Sequence, residues 1–535
     1  MATNRILTMT TLRIYKGTTG IFQMLLLLFM FSSCEKKYDL EEAPRLFRPV
    51  VKGALETTTG NFIEAAWQEI KDADSYTVEV SRDTFRTIDR SIKVDSAKVL
   101  FEDLKWDQLY QIQVRANAAD SLKNSKFGYL GAVKTPKFPT IVKAATINDV
   151  TEISAIMRWT SSGDAVTEIK VYDKPEGTLL KTVALLPADV QNEFKVIGGL
   201  TGGTLYYMEL MSGTRLRGYE SYTTKAPFAG IVIDLREIEN RPSVLQDTLS
   251  FAPSGSLIIL KKGMTYNLSS IVALSKTLTI TSGDDLLVQT PANIFFTSNL
   301  NFAAGSVIDS ISFVNVSITG SDYGSKYVFN TTNSASVGKL KFDNCKIQYF
   351  RGIVRLQTGT TILSTYEINN CLIDSISGYG AITVDNATCK AENIIIRNST
   401  LSRMETIIAS TKAPSNSITI QNNTFYRAPR GGSYLVDYNT FAVSAGVNIY
   451  NNIFSIGKSN AGNTSVRGVR INGQVNTLNN FATSDYVNAS NPIPNLIQYT
   501  RPSGELFTDP ATNNFKIKDN GFPGRSSAGD PRWRL

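Results

Sequence analysis

Apolar and polar residues alternate along most of this chain with the period of two that marks β-strands. Tyr76-Thr77-Val78-Glu79-Val80 is one such run, and Gln111-Ile112-Gln113-Val114-Arg115-Ala116 and Ile169-Lys170-Val171-Tyr172 are others. After Pro227 the strands shorten and crowd together: Ile231 to Leu235, Leu257 to Leu260 with a turn at Gly263, and Thr277 to Ile280. From Ile280 to the C-terminus short strands continue, with no amphipathic helix expected among them. Five segments in this half align without gaps, each centred on an asparagine: Asn344, Asn370, Asn398, Asn422 and Asn451. Their separations are 26, 28, 24 and 29 residues. Such a period suits one coil of a parallel β-helix with three short strands, whereas propeller blades need about 40 to 50 residues.

The recurring asparagine has a physical reason. Each coil must turn a tight corner, and asparagine tolerates the left-handed backbone found there. Coils stack about 4.8 Å apart, so each amide can donate to the one on the next coil. The five asparagines are therefore expected to form a ladder. The residues two before and three after each of them, such as Phe342 and Ile347, should point inward as apolar columns. Third strands are expected at Ile353 to Leu356, Ala381 to Val384, Thr406 to Ala409 and Tyr434 to Asp437.

The N-terminal half reads as two modules of one kind. Trp67 precedes the first clean strand, and Leu104 stands six residues before Tyr110, which opens the next. Trp159, Leu200 and Tyr206 repeat the arrangement. This pattern resembles the tyrosine corner of fibronectin type III sandwiches. The tryptophans are expected in the cores. The fold class is thus all-β, with two fibronectin type III-like sandwiches followed by a right-handed parallel β-helix. The expected boundaries are 45–136, 137–227 and 228–535.

Composition narrows the chemistry. The 535 residues include no histidine, which removes histidine triads, histidine bases and histidine-ligated metals together. The net charge is +8, but Arg5, Arg13 and Lys16 lie ahead of Cys34, leaving +5 beyond it. That excess is dispersed, unlike the concentrated basic stripe of a nucleic-acid binder, so no nucleic-acid partner is expected. The three basic residues, the apolar run Ile21 to Phe31 and Phe31-Ser32-Ser33-Cys34 read as a lipoprotein signal peptide over 1–34, with lipidation at Cys34 and a polar tether over 35–44. Phe31 departs from the usual aliphatic residue at its place. The expected location is the cell envelope, on the outer membrane and exposed at the surface, with the membrane reached through the lipid anchor. Cys345, Cys371 and Cys389 form no metal-site spacing and no even set, so buried thiols are expected.

From Gly230 onward the sequence resembles the pectate-lyase-like β-helix lipoproteins of polysaccharide-utilisation loci. The likeness is carried by Ile231-Val232-Ile233-Asp234-Leu235-Arg236, by Leu260 with Gly263 and Tyr266, by the Asn-Ser-Thr and Asn-Asn-Thr corners, and by the closing Gly529-Asp530-Pro531-Arg532-Trp533. That family is largely of unassigned function. The resemblance implies an envelope protein that meets plant-type polysaccharide, pectin first, with an outer-membrane glycan-uptake complex as a further partner. Lyases of this fold use arginine or lysine as the base and calcium against the uronate carboxylate.

The repeat register shows where such chemistry could gather. Five residues past the ladder stand Tyr349, Ser375, Arg403, Arg427 and Ile456; one position earlier stand Asp374 and Tyr426 among others. Arg351 and Glu405 share the offset of seven. Arg403 and Arg427 are the candidate catalytic bases, and Tyr349, Arg351, Asp374, Glu405 and Tyr426 the candidate ligand contacts. A calcium ion would be expected only for a lyase, and its ligands cannot be assigned from so few carboxylates. The first expectation is a polysaccharide-binding lipoprotein, the alternative a lyase acting on uronate glycans by β-elimination, and the third a structural adhesin.

Overall fold

A computed structural model describes residues 45–57 and 60–535; the expected signal peptide over 1–34, with Cys34, and the expected tether over 35–44 lie outside the described residues. In the first unit, which ends at Pro139, Ile63–Ala66 pairs antiparallel with Lys98–Phe101. Facing them is a sheet ordered Arg90–Val94, Ser75–Ser81, Leu109–Asn117, Gly128–Lys134. Trp67, Tyr76, Val78, Ile112 and Val114 fill the space between the two. The Tyr110 hydroxyl accepts the Lys105 backbone N–H at 3.0 Å, so the tyrosine corner forms over buried Leu104.

The second unit begins with the other sandwich. Ala155–Arg158 pairs with Phe194–Ile197, and the facing sheet runs Arg215–Thr223, Leu205–Ser212, Glu168–Tyr172, Leu179–Ala184. The Tyr206 hydroxyl accepts the Thr201 N–H at 2.8 Å, the same corner again. Both tryptophans, Trp67 and Trp159, are buried core residues.

The rest of this unit is a parallel β-solenoid. Ten strands stack in one sheet and seventeen in another, all parallel. The stacking register is the one the repeats predict. Phe342, Ile368, Ile396, Ile420 and Ile449 are successive partners in one column. Ile347, Ile373, Leu401, Phe425 and Phe454 are successive partners in another. All ten are buried. Rings at successive levels stack face to face, as Phe425 and Phe454 do at 4.9 Å.

The asparagine corner is longer than the repeats suggested. Asn315, Asn344, Asn370, Asn398, Asn422, Asn451 and Asn479 all have φ between 51° and 57°. Amide-to-amide bonds run from Asn344 to Asn315, Asn370 to Asn344, Asn422 to Asn398 and Asn479 to Asn451. Asn398 instead donates to Asn369, and no amide bond joins Asn451 to Asn422 among the described residues, so the ladder is interrupted at two of its six steps. The residues after the seven corners, Val316, Cys345, Cys371, Ser399, Asn423, Asn452 and Asn480, are all buried and form an inner column, of which the sequence reading expected burial only for the two cysteines. Asn423 donates to Asn452 at 3.1 Å and Asn452 to Asn480 at 2.9 Å. A buried amide must find such partners, and the coil spacing supplies them.

A short helix lies between the first two strands after Pro227, in a stretch to which the sequence reading assigned no element. Val244–Phe251 places Val244, Leu245 and Leu249 against the first coils and covers the open end of the core. Two turns carry too few residues for a helical period to stand out, and the function here is to seal an otherwise exposed stack. At the other end the chain doubles back. A hairpin of Phe507–Asp509 and Asn514–Ile517 packs Phe507, Phe515 and Phe522 onto Tyr426, Ile453 and Phe481. The closing Gly529-Asp530-Pro531-Arg532-Trp533 fastens this return. Thr400 Oγ1 donates to the buried Asp530 carboxylate at 2.7 Å, Trp533 Nε1 donates to Thr400 at 2.7 Å, and Arg532 reaches the Asn370 side chain at 2.6 Å. Burial pushes the Asp530 carboxyl up, against the opposing charge of Arg532.

Candidate functional site

A second corner follows five residues after the asparagine ladder, and it also requires left-handed backbone. Tyr349, Ser375, Arg403 and Arg427 have φ of 68°, 55°, 52° and 50°. Large side chains rarely adopt this region, and residues held there gather at functional sites. This corner column forms one wall of a cleft of about 640 Å³, lined also by Tyr323, Ile456, Gly457, Lys458, Ser459 and Thr464.

Glu405 organises the cleft from behind. Its carboxylate accepts from Tyr323 Oη at 2.7 Å, Lys458 Nζ at 3.0 Å and Arg430 at 3.1 Å. Lys458 also contacts the Tyr323 hydroxyl and sits 4.8 Å over its ring. Burial alone would raise the Glu405 carboxyl, but the bonds from Tyr323 and Lys458 and the nearby charges hold it below its usual range. Burial and the Glu405 charge push the Tyr323 phenol up. Tyr349 stands at the mouth with 55% of its surface exposed, its ring edge-on to Tyr323.

The two candidate bases meet different environments. Arg403 is bound to Asp374 and also donates to the Ala511 carbonyl at 3.2 Å and the Asn513 side chain at 2.8 Å. Asp374 accepts further bonds from Ser402 and Asn513, which together with Arg403 hold its carboxyl low against the effect of burial. Arg427 is exposed. Its guanidinium lies 5.4 Å over the Tyr426 ring, with no carboxylate partner among the described residues. Counting Arg403, Arg427, Arg430 and Lys458 against Asp374 and Glu405 leaves two positive charges in excess.

Of the residues singled out from sequence, Tyr349, Arg403 and Arg427 line the cleft and Glu405 backs it. Asp374 lies beneath the C-terminal hairpin as the partner of Arg403. Tyr426 is buried, edge-on to Phe515, and presents its face to Arg427 rather than to solvent. Arg351 does not join Glu405; it stacks 4.8 Å over Tyr379 and 5.9 Å over Tyr327. An irregularity in the pairing beyond Phe350 breaks the shared column that sequence spacing implied. The reading missed Lys458, although it stands seven residues past Asn451, the same offset as Glu405. Tyr323 lies eight residues past Asn315, a corner outside the five aligned segments, and Asn513 arrives from the chain's return.

The donor set does not suit calcium. Among the described residues no group of three or more acidic, cysteine or histidine side chains could hold a metal ion. The two carboxylates nearest the cleft are already engaged by cations, so no step can be routed through a metal here.

Comparison with known proteins adds domain matches over the solenoid. Residues 264–404 match a domain of unknown function, DUF4957, and residues 418–533 match a domain of unknown function, DUF5123. No curated protein matches the chain. Among solved structures the chain is similar to the FN1–FN3 domains of chicken CNTN1, at 12% identity and TM-score 0.15, covering 34% of this chain and 68% of that one. It is also similar to a two-domain fibronectin type III segment of chicken tenascin, at 19% identity and TM-score 0.16, covering 33% and 99%.

Proposed function

We propose that this chain is a cell-envelope lipoprotein that binds an anionic polysaccharide, a pectin-like uronate glycan in the first place, in the cleft beside the second corner. One observation carries the reading: a cleft with two uncompensated positive charges and an exposed tyrosine at its mouth. Guanidinium groups bind carboxylates through paired N–H donors, and an aromatic ring gives a sugar an apolar surface. The two sandwiches would serve as spacers between an anchor at Cys34 and the solenoid.

Affinity electrophoresis on gels containing polygalacturonate tests this directly. Retardation that fades with salt, and that is absent with a neutral galactan, is the expected result. Equal migration on both gels would sink the proposal. Labelling with radioactive palmitate, lost in Cys34→Ala, checks the anchor.

A second reading has one specific support. Arg427 has no carboxylate partner among the described residues, whereas Arg403 is paired with Asp374. A lyase would therefore use Arg427 as its base, removing the proton α to the uronate carboxylate. Ultraviolet absorbance of unsaturated product, abolished in Arg427→Ala, would establish it. No product at any calcium concentration, with binding retained, leaves the binding protein.

A further inference from the structure

Beyond the cleft, the outward face of the third strand row carries the same side-chain unit twice. In the first copy Arg355 pairs with Asp385 at 3.1 Å and stacks 4.3 Å over Tyr379, while Arg351 stacks on that ring without a carboxylate of its own. In the second, Arg470 pairs with both oxygens of Asp437 at 2.8 Å and stacks 4.5 Å over Tyr434, and Arg467 lies 5.3 Å over the same ring. Neither Arg351 nor Arg467 has a carboxylate at ion-pair distance among the described residues.

The two copies are joined by one column of paired residues: Arg355, Thr383, Ala409, Asp437, Arg470. Four steps of about 4.8 Å put the paired arginines about 19 Å apart along the coil axis. Between them the column holds Thr383, Ala409 and Asp437; the first two are small and half-buried, and the third is the partner of Arg470, so no large side chain separates the two copies in this column. A guanidinium stacked on a ring is fixed in plane yet keeps its edge N–H groups free to grip a carboxylate. The paired arginine and its aspartate hold the tyrosine; the unpaired one is left to meet a ligand.

We propose that this face is an extension of the cleft, a track along the coil axis on which Arg351 and Arg467 each hold a carboxylate of one polyanionic glycan. The inference rests on the uronate-binding reading and deepens it: the ligand is a polymer that spans several coils, not a short oligosaccharide. A chain held at three points gains affinity by effective concentration, so length matters.

The test is titration calorimetry of the full chain with trigalacturonate and with polygalacturonate, at low salt. Wild type is expected to bind the polymer far more tightly than the trimer. The double variant Arg351→Gln, Arg467→Gln should lose about tenfold for the polymer and less than about twofold for the trimer. Arg427→Ala should weaken both. Unchanged melting temperatures would show that the variants fold; if the double variant unfolds, the two single variants, each expected to lose about threefold on the polymer alone, take its place. Polymer affinity unaltered in the arginine variants, with Arg427→Ala still weakened, overturns the track and leaves the cleft. Failure of wild type to bind either ligand overturns both.

Discussion

Replacing Glu405 with glutamine preserves the side chain's size and removes one negative charge from behind the cleft. The carboxylate is the shared counter-ion of Lys458 and Arg430 and the acceptor for Tyr323. Its side chain is 14% exposed, but Lys458 and Arg430 are 25% and 41% exposed, so solvent screens much of the attraction. A fully buried pair broken on one side costs about 3–5 kcal/mol and an exposed one less than about 1. The loss of stability for Glu405→Gln should fall between, about 1–2 kcal/mol. Because folding holds this carboxyl below its usual range, its contribution is full above the ordinary glutamate pKa. It disappears as pH falls through the lowered value. The gap in melting temperature between wild type and variant should therefore be widest near neutrality and narrow on acidification. Binding should move the other way. An added net charge about 8 Å from a ligand carboxylate, at an effective dielectric of about 40, is worth about 1 kcal/mol, or about fivefold tighter polygalacturonate binding. Calorimetry at fixed ionic strength and neutral pH reads this. A fivefold loss of affinity instead would mean that Glu405 presents Lys458 and Arg430 to the ligand rather than competing with it, and the charge argument would fail.

Neighbouring corner residues should differ sharply. Asn452→Ala leaves the Asn423 backbone N–H without its acceptor, takes one of two acceptors from the Asn423 side-chain amide and removes the donor to the Ile420 carbonyl, a loss of about 2–4 kcal/mol, whereas Asn451→Ala at the solvent side should lose about 1 kcal/mol. Denaturation midpoints compare them, and an equal effect would contradict the inner column's role. Tyr110→Phe removes the acceptor of the Lys105 N–H and should cost the first sandwich about 1 kcal/mol; tryptophan fluorescence of Trp67 follows it. Asp530→Ala should loosen the C-terminal return by about 1–3 kcal/mol, read as earlier proteolysis after residue 502. Since burial raises this carboxyl, its contribution behaves oppositely to that of Glu405. It is present below the ordinary aspartate range and diminishes as pH rises through the raised value.

The solenoid was legible because one local requirement repeats. Every coil must pass a left-handed corner, so asparagine recurs at Asn344, Asn370, Asn398, Asn422 and Asn451, and the apolar residues flanking it fix the stacking register. The sandwiches were legible for a related reason: the pairing of Leu104 with Tyr110, and of Leu200 with Tyr206, encodes one turn and one hydrogen bond close in sequence. Asn479 escaped because Thr477 stands where the apolar residue two before the corner is expected; Asn315 has both apolar flanks, Phe313 and Ile318, but Val316 replaces the cysteine, serine or asparagine that follows the other corners. The same register also put Arg403, Arg427 and Tyr349 in one column, since vertical neighbours follow from spacing alone.

The sequence by itself thus determined the architecture, its register and the wall of the cleft, because those depend on residues within a few positions of each corner. Tertiary structure decided what each charge does. Asn513 and the Ala511 carbonyl reach Arg403 only when the chain's end folds back. Tyr323 meets Glu405 across 82 residues of sequence. A pairing irregularity past Phe350 sends Arg351 to Tyr379 instead of to the cleft. Electrostatic partners are chosen by distance in space, and no periodic pattern along the chain records them.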